Sequence, residues 1–152
     1  MFSKILVCLD GSKHCERAAD KALAIAKESQ SCVIILHVGQ SDSHDSYAST
    51  PAEFTVAWQL RAESPLTSLE MLDDSHRAIE TINSQFHRAG MRPELFFETG
   101  HAAAQIVRVA EREGADLIVM GSRGLNPLES LLLGSVSMHV IQHAPCSVLI
   151  VR

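Results

Sequence analysis

No apolar run in this 152-residue chain approaches the roughly 20 residues that a membrane-spanning helix needs. Positive charge is scarce as well. The 13 Lys and Arg against 18 Asp and Glu leave a net charge of −5. Without clustered Lys and Arg a general nucleic-acid surface is set aside, although one anion site built from helix N-termini and a single arginine is not. The four cysteines, Cys8, Cys15, Cys32 and Cys146, show neither C-x-x-C spacing nor a zinc-like rhythm. Cys8 and Cys146 fall inside apolar runs, where a thiol behaves as a small hydrophobe, and are expected reduced and at least partly buried. Met1-Phe2-Ser3-Lys4 leads directly into a strand pattern and leaves no room for a signal peptide, so the expected compartment is the cytoplasm, with no membrane partner.

What is present is ordinary globular material. Hydrophobic residues make up 46% of the chain and charged residues 20%, and the length is that of one domain, residues 1–152, with a substantial core. Phe2 to Leu9, Ser31 to Val38, Pro93 to Thr99, Ala115 to Met120 and Cys146 to Val151 read as strands. The near-continuous apolar character of Phe2 to Leu9 implies burial on both faces, as in a parallel sheet, and Pro93 to Thr99 is a weaker strand. Between the strands lie helical stretches. Ser12 is a candidate cap for the first, in which Cys15, Ala18, Ala19, Ala22, Ile25 and Ala26 recur at helical spacing. Residues 40–50 form a polar loop. Thr50-Pro51-Ala52-Glu53 reads as a capping box opening a short helix to about Arg61 that carries Phe54 and Trp58. A long helix is expected from about Pro65 to Ala89, with Leu69, Leu72, Ile79, Ile82 and Phe86 as its apolar stripe. A further helix starts at Gly100-His101, turns Ile106, Val107 and Ala110 inward and stops at Gly114. The last runs to about His143, before Pro145. Strands alternating with helices define an α/β fold: a single-domain, doubly wound, five-stranded parallel sheet in order 3-2-1-4-5 with helices on both faces.

In that order the winding reverses between strands 1 and 4, and ligands bind beyond the carboxyl ends of the strands at such a switch point. Those ends are Asp10 and Gly121. Gly121-Ser122-Arg123-Gly124, nine residues, then Gly134-Ser135-Val136-Ser137 follow the fourth strand. Glycines at Gly121 and Gly124 permit positive φ and close ligand approach. Gly134 opens a helix whose first N–H groups and positive dipole end face outward. Ser135 and Ser137 add hydroxyls, and Arg123 offers a planar fork for a phosphate. The spacing is neither a P-loop, since no lysine stands where one is required, nor G-x-G-x-x-G. Taken singly, each residue has a structural alternative: Gly121 and Gly124 as a turn, Gly134 as close helix packing, Ser135 as an N-cap, Asp10 as a helix cap, Arg123 as a solvated side chain. The joint spacing favours a nucleotide.

The Gly-x2-Gly-x9-Gly-Ser pattern resembles the ATP-binding branch of the universal stress protein family. So do Lys4-Ile-Leu-Val-Cys-Leu-Asp10, Ile34-Ile-Leu-His37-Val38 and Ala144-Pro145-Cys146-Ser-Val-Leu-Ile-Val151, in that order along the whole chain. The resemblance implies that Asp10 and the main chain at Val38 contact the adenosine part of ATP, that Met120 lines the base pocket and that Val136 is a binding position. It implies Mg²⁺ or Mn²⁺ with the nucleotide, no separate protein-held metal, and a homodimer through strand 5, Cys146–Val151. A dimeric interaction module without a working nucleotide site and a slow ATPase stand as alternatives. No catalytic residue is evident: Glu129 and Asp10 lie near the glycines, but no carboxylate pair is placed to orient water, so binding is favoured over fast turnover. His139 and His143, at i, i+4 spacing, have no third ligand and are read as structural. His37 is read as a core histidine with a hydrogen-bond partner.

Overall fold

The computed structural model describes residues 1–39, 74–122 and 133–152. In chain order these form β1 (Lys4–Leu9), α1 (Lys13–Ser29), β2 (Cys32–Gly39), α2 (Asp74–Arg88), β3 (Glu94–Thr99), α3 (Ala102–Glu113), β4 (Leu117–Gly121), α4 (Ser135–His143) and β5 (Ser147–Val151). The five strands make one sheet in order β3-β2-β1-β4-β5. All four pairings are parallel. This is the doubly wound arrangement expected from the strand-helix alternation. The capping box at residues 50–53, the helix carrying Phe54 and Trp58, and the first part of the long helix lie outside the described residues.

Local chemistry explains the helix ends. Ser12 caps α1, its Oγ accepting the Cys15 N–H at 3.3 Å. Gly114 ends α3 at φ 64°, where a side chain would be strained. The amino ends of β1 and β4 are tied together by Asp116, whose carboxylate accepts the Ser3 N–H at 2.8 Å and the Lys4 N–H at 3.1 Å. The Asp116 N–H donates back to the Lys4 carbonyl at 3.0 Å. These bonds hold the two strands between which the sheet reverses its winding.

Strand residues alternate between two cores. Ile5, Val7, Leu9, Val33, Ile35, Leu117 and Val119 meet α1 and α2 through Cys15, Ala18, Ala22, Ala26, Ile79, Ile82 and Phe86. Leu6, Cys8, Ile34, Leu36, Ile118 and Met120 meet α3 and α4 through Ala103, Ile106, Val109, Ala110 and Val140. The expected stripes on α1 and α3 are therefore the buried ones, with Ile25 and Val107 at the margins, only partly covered. Of the α2 stripe Ile79, Ile82 and Phe86 are buried, while Leu69 and Leu72 lie outside the described residues.

Candidate functional site

A right-handed crossover returns each helix antiparallel to the strand before it. The N-termini of α1, α3 and α4 therefore follow the carboxyl ends of β1, β3 and β4. On the α3/α4 side α3 packs on β2 and β3 while α4 packs on β5. Beyond β1 and β4, where the winding reverses, a crevice of about 300 Å³ opens.

Its lining brings together Asp10, Val38, Met120, Gly121, Gly134, Ser135, Val136 and Ser137, the expected residues that fall among those described. Arg123 and Gly124 lie outside the described residues, as does Glu129. Sequence reasoning missed Cys8, Leu9, Cys15, Leu36 and Ala102 as lining, and had assigned Ile106 to the core alone. A signal for part of this was present: Cys8 lies two residues before Asp10 and Leu36 two before Val38, so each shares a sheet face with a candidate.

The crevice has two chemically distinct parts. Leu36, Val38, Ile106 and Met120 form an apolar wall. The start of α4 forms a polar end. Met138 N–H is bonded to the Gly134 carbonyl at 3.0 Å, the first bond of the helix ladder. The N–H groups of Ser135, Val136 and Ser137 thus precede any intrahelical acceptor, at the positive end of the helix dipole. Asp10 is the one charged side chain among the described lining residues. Its Oδ1 accepts the Ser12 N–H at 2.9 Å, which fixes the carboxylate against the turn into α1. Burial pushes the Cys15 thiol up to about 11. Burial first, then the charges of Cys146 and Asp10, raise Cys8 as well. Both are neutral thiols at physiological pH, as apolar lining requires.

Several expectations are corrected in detail. Gly121 does not take positive φ; among the described residues the glycines that do are Gly11, Gly90, Gly100 and Gly114. Gly121 is instead needed for close approach: a Cβ there would stand 2.9 Å from His14 Cβ and 3.1 Å from His14 C, inside the first turn of α1. Gly134, not Ser135, occupies the N-cap, with φ −70° and no side-chain cap. Its own N–H donates to the Ser122 carbonyl at 2.8 Å, so it is not among the open donors. The buried Ser137 hydroxyl sits within hydrogen-bond distance of the Gly121 and Ser122 carbonyls, 3.1 and 3.3 Å. One hydroxyl proton serves them both, which leaves the Ser137 main-chain N–H rather than its hydroxyl for a ligand. His37 Nδ1 lies 2.9 Å from the Leu9 carbonyl, the partner expected of a core histidine. His143 Nδ1 lies 2.9 Å from the His139 carbonyl and the two rings stack at 4.2 Å, a packing arrangement.

A crevice beyond the carboxyl ends of the strands at the switch point is where doubly wound α/β sheets take ligands. The whole chain, residues 1–152, matches the universal stress protein family. The universal stress protein YxiE of Bacillus subtilis is 36% identical over 158 residues, spanning 100% of both chains. Among solved structures, hypothetical protein MJ0577 superposes with a TM-score of 0.74 at 30% identity, covering 99% of this chain and 96% of its own. A universal stress protein in complex with cAMP gives 0.69 at 26% identity, covering 99% and 97%. The chain belongs to the universal stress protein family. None of its described helices is long and apolar enough to cross a membrane.

Proposed function

We propose that this chain belongs to the ATP-binding branch of its family and acts as a small stress-response or signalling protein that binds an adenine nucleotide, with at most slow hydrolysis. One observation carries this reading. The described candidate residues, Asp10 just after β1 and others from β2, β4 and the start of α4, are spread over nearly the whole sequence and meet in a single crevice with an apolar wall and a helix N-terminus. The base packs against Val38, Ile106 and Met120. The phosphates meet the N–H groups of Ser135, Val136 and Ser137. Asp10 takes the ribose. A solved relative that binds cAMP supports an adenine ligand of this kind.

Mg²⁺ or Mn²⁺ accompanies the triphosphate. In this proposal the phosphates carry the cation. The same proposal includes a homodimer through Cys146–Val151. β5 is an edge of the sheet, and Val148, Leu149 and Ile150 are only partly covered. Pairing across a two-fold axis removes such an edge.

The site is tested by Ser135→Asp. A carboxylate in the first turn is favourable for the helix itself but occupies the field meant for phosphate. Mg-ATP affinity is expected to fall at least about tenfold with no loss of thermal stability. Unchanged Mg-ATP affinity would remove α4 from the site.

A further inference from the structure

Glu98 is a buried carboxylate that the nucleotide reading does not use. It lies near the carboxyl end of the edge strand β3 and is only 8% exposed. Its Oε2 accepts from Arg108 Nη2 and its Oε1 from Arg112 Nη1, each at 3.1 Å. The Arg112 guanidinium also lies over the Phe96 ring, 5.4 Å from its centre. Burying a carboxylate is costly unless its oxygens are matched, and here each oxygen has its own arginine. Both arginines belong to α3. In the β2–β3 register Glu98 stands beside Val38. Val38 lines the crevice from β2, and Ile106, two residues before Arg108, lines it from α3.

We propose that Glu98 is a positioning residue: gripped by Arg108 and Arg112, it fixes α3 against β3 and so sets the spacing of the Val38–Ile106 wall, the part of the crevice that takes the base. The inference rests on the nucleotide reading for its ligand, but the clamp itself is a statement about α3. An edge ion pair with a purely structural role also stabilises the fold, and the side chains of Arg108 and Arg112 are 60% and 46% exposed, so its net contribution to stability is small. The distinguishing property is location. The clamp acts on the apolar wall and not on the α4 end, where the phosphates bind.

The test compares adenosine, ATP and inorganic tripolyphosphate on wild type and Glu98→Gln, well below the melting temperature. Glu98→Gln is expected to weaken adenosine and ATP by the same factor, about fivefold, the scale of one net contact, and to leave tripolyphosphate unchanged. Arg108→Gln, which removes one arm, gives a smaller loss in the same direction. Equal loss of all three ligands would show general loosening and overturn the proposal, as would unchanged adenosine binding. Amide hydrogen exchange reads the clamp without a ligand. In Glu98→Gln the α3 amides are expected to exchange faster while those of α4 do not. If the wild type binds no nucleotide, the functional reading fails separately and exchange alone decides: equal α3 rates in the two proteins would refute the clamp.

Discussion

The two faces of the sheet are built from alternate residues of the same strands, yet among the described residues the crevice opens chiefly on one of them, with Leu9 and Cys15 of the other reaching its edge. On the first, α1 lies directly on β1 and β4. Its Ala18, Ala19, Ala22 and Ala26 are fully buried, small enough to let the helix sit close to Val7 and Val119. Gly121 extends that closeness to the carboxyl end of β4, where even a methyl group meets the first turn of α1. On the second face none of the described helices lies chiefly on the β1–β4 pair: α3 packs on β2 and β3, and α4 on β5. Val38 and Val136 remain partly exposed there, and the crevice results. One face is closed by small residues on a central helix. The other is held open because its two helices stand to either side of the switch point. Burial alone does not separate the faces; where each helix sits does.

Truncation in the closed core should cost most. Phe86→Ala, at a fully buried site of the α1/α2 face, is expected to destabilise by about 3–5 kcal/mol in urea unfolding. Ile106→Ala should cost less, because its side chain borders the crevice, and should weaken nucleotide binding where Phe86→Ala does not. A loss at Ile106 as large as at Phe86, with no change in binding, would break the comparison.

Adding a methyl at the closed end is next. Gly121→Ala should destabilise by about 1–3 kcal/mol through the contact with His14. The displacement it forces lies between β4 and α1, so Mg-ATP binding, measured separately by titration, should weaken as well. A stable variant with intact binding would show that the close approach is not needed.

The smallest effect concerns pH. Cys15 has its folded-state value raised from 9.0 to about 11. A raised value means that stability is fully present below pH 9.0, then declines as the unfolded thiol ionises and the folded one does not, until about pH 11. Cys8 shifts in the same direction. Stability of wild type should fall over this window, and Cys15→Ala should flatten part of the fall. An identical alkaline profile in Cys15→Ala would show that its burial carries no such linkage.

Much of the fold was legible because its signals are local and repeated. The alanine stripe of α1, the Gly114 stop and the apolar strand runs each follow from side-chain period and backbone preference, and the winding then follows from handedness. The crevice was legible at its glycines and at Asp10, the strand ends that topology brings together. The details that escaped are those set by contacts distant in sequence. Nothing local distinguishes Gly121 as a packing glycine, since its neighbour His14, in the first turn of α1, lies far away in sequence. The Ser137 hydroxyl is engaged by carbonyls sixteen and fifteen residues away. Nothing in the sequence marks Glu98 as buried; α3 places two arginines on it.

The central claim is that the open face holds an adenine nucleotide. The most direct measurement is denaturing extraction of the freshly purified protein, with the released nucleotide identified by chromatography and mass spectrometry, followed by Mg-ATP titration of the emptied chain. An adenine nucleotide recovered near one per chain, or saturable one-site binding after emptying, is the predicted result. An empty extract together with no binding of added Mg-ATP would contradict the account and leave the chain a dimeric interaction module whose crevice serves no nucleotide.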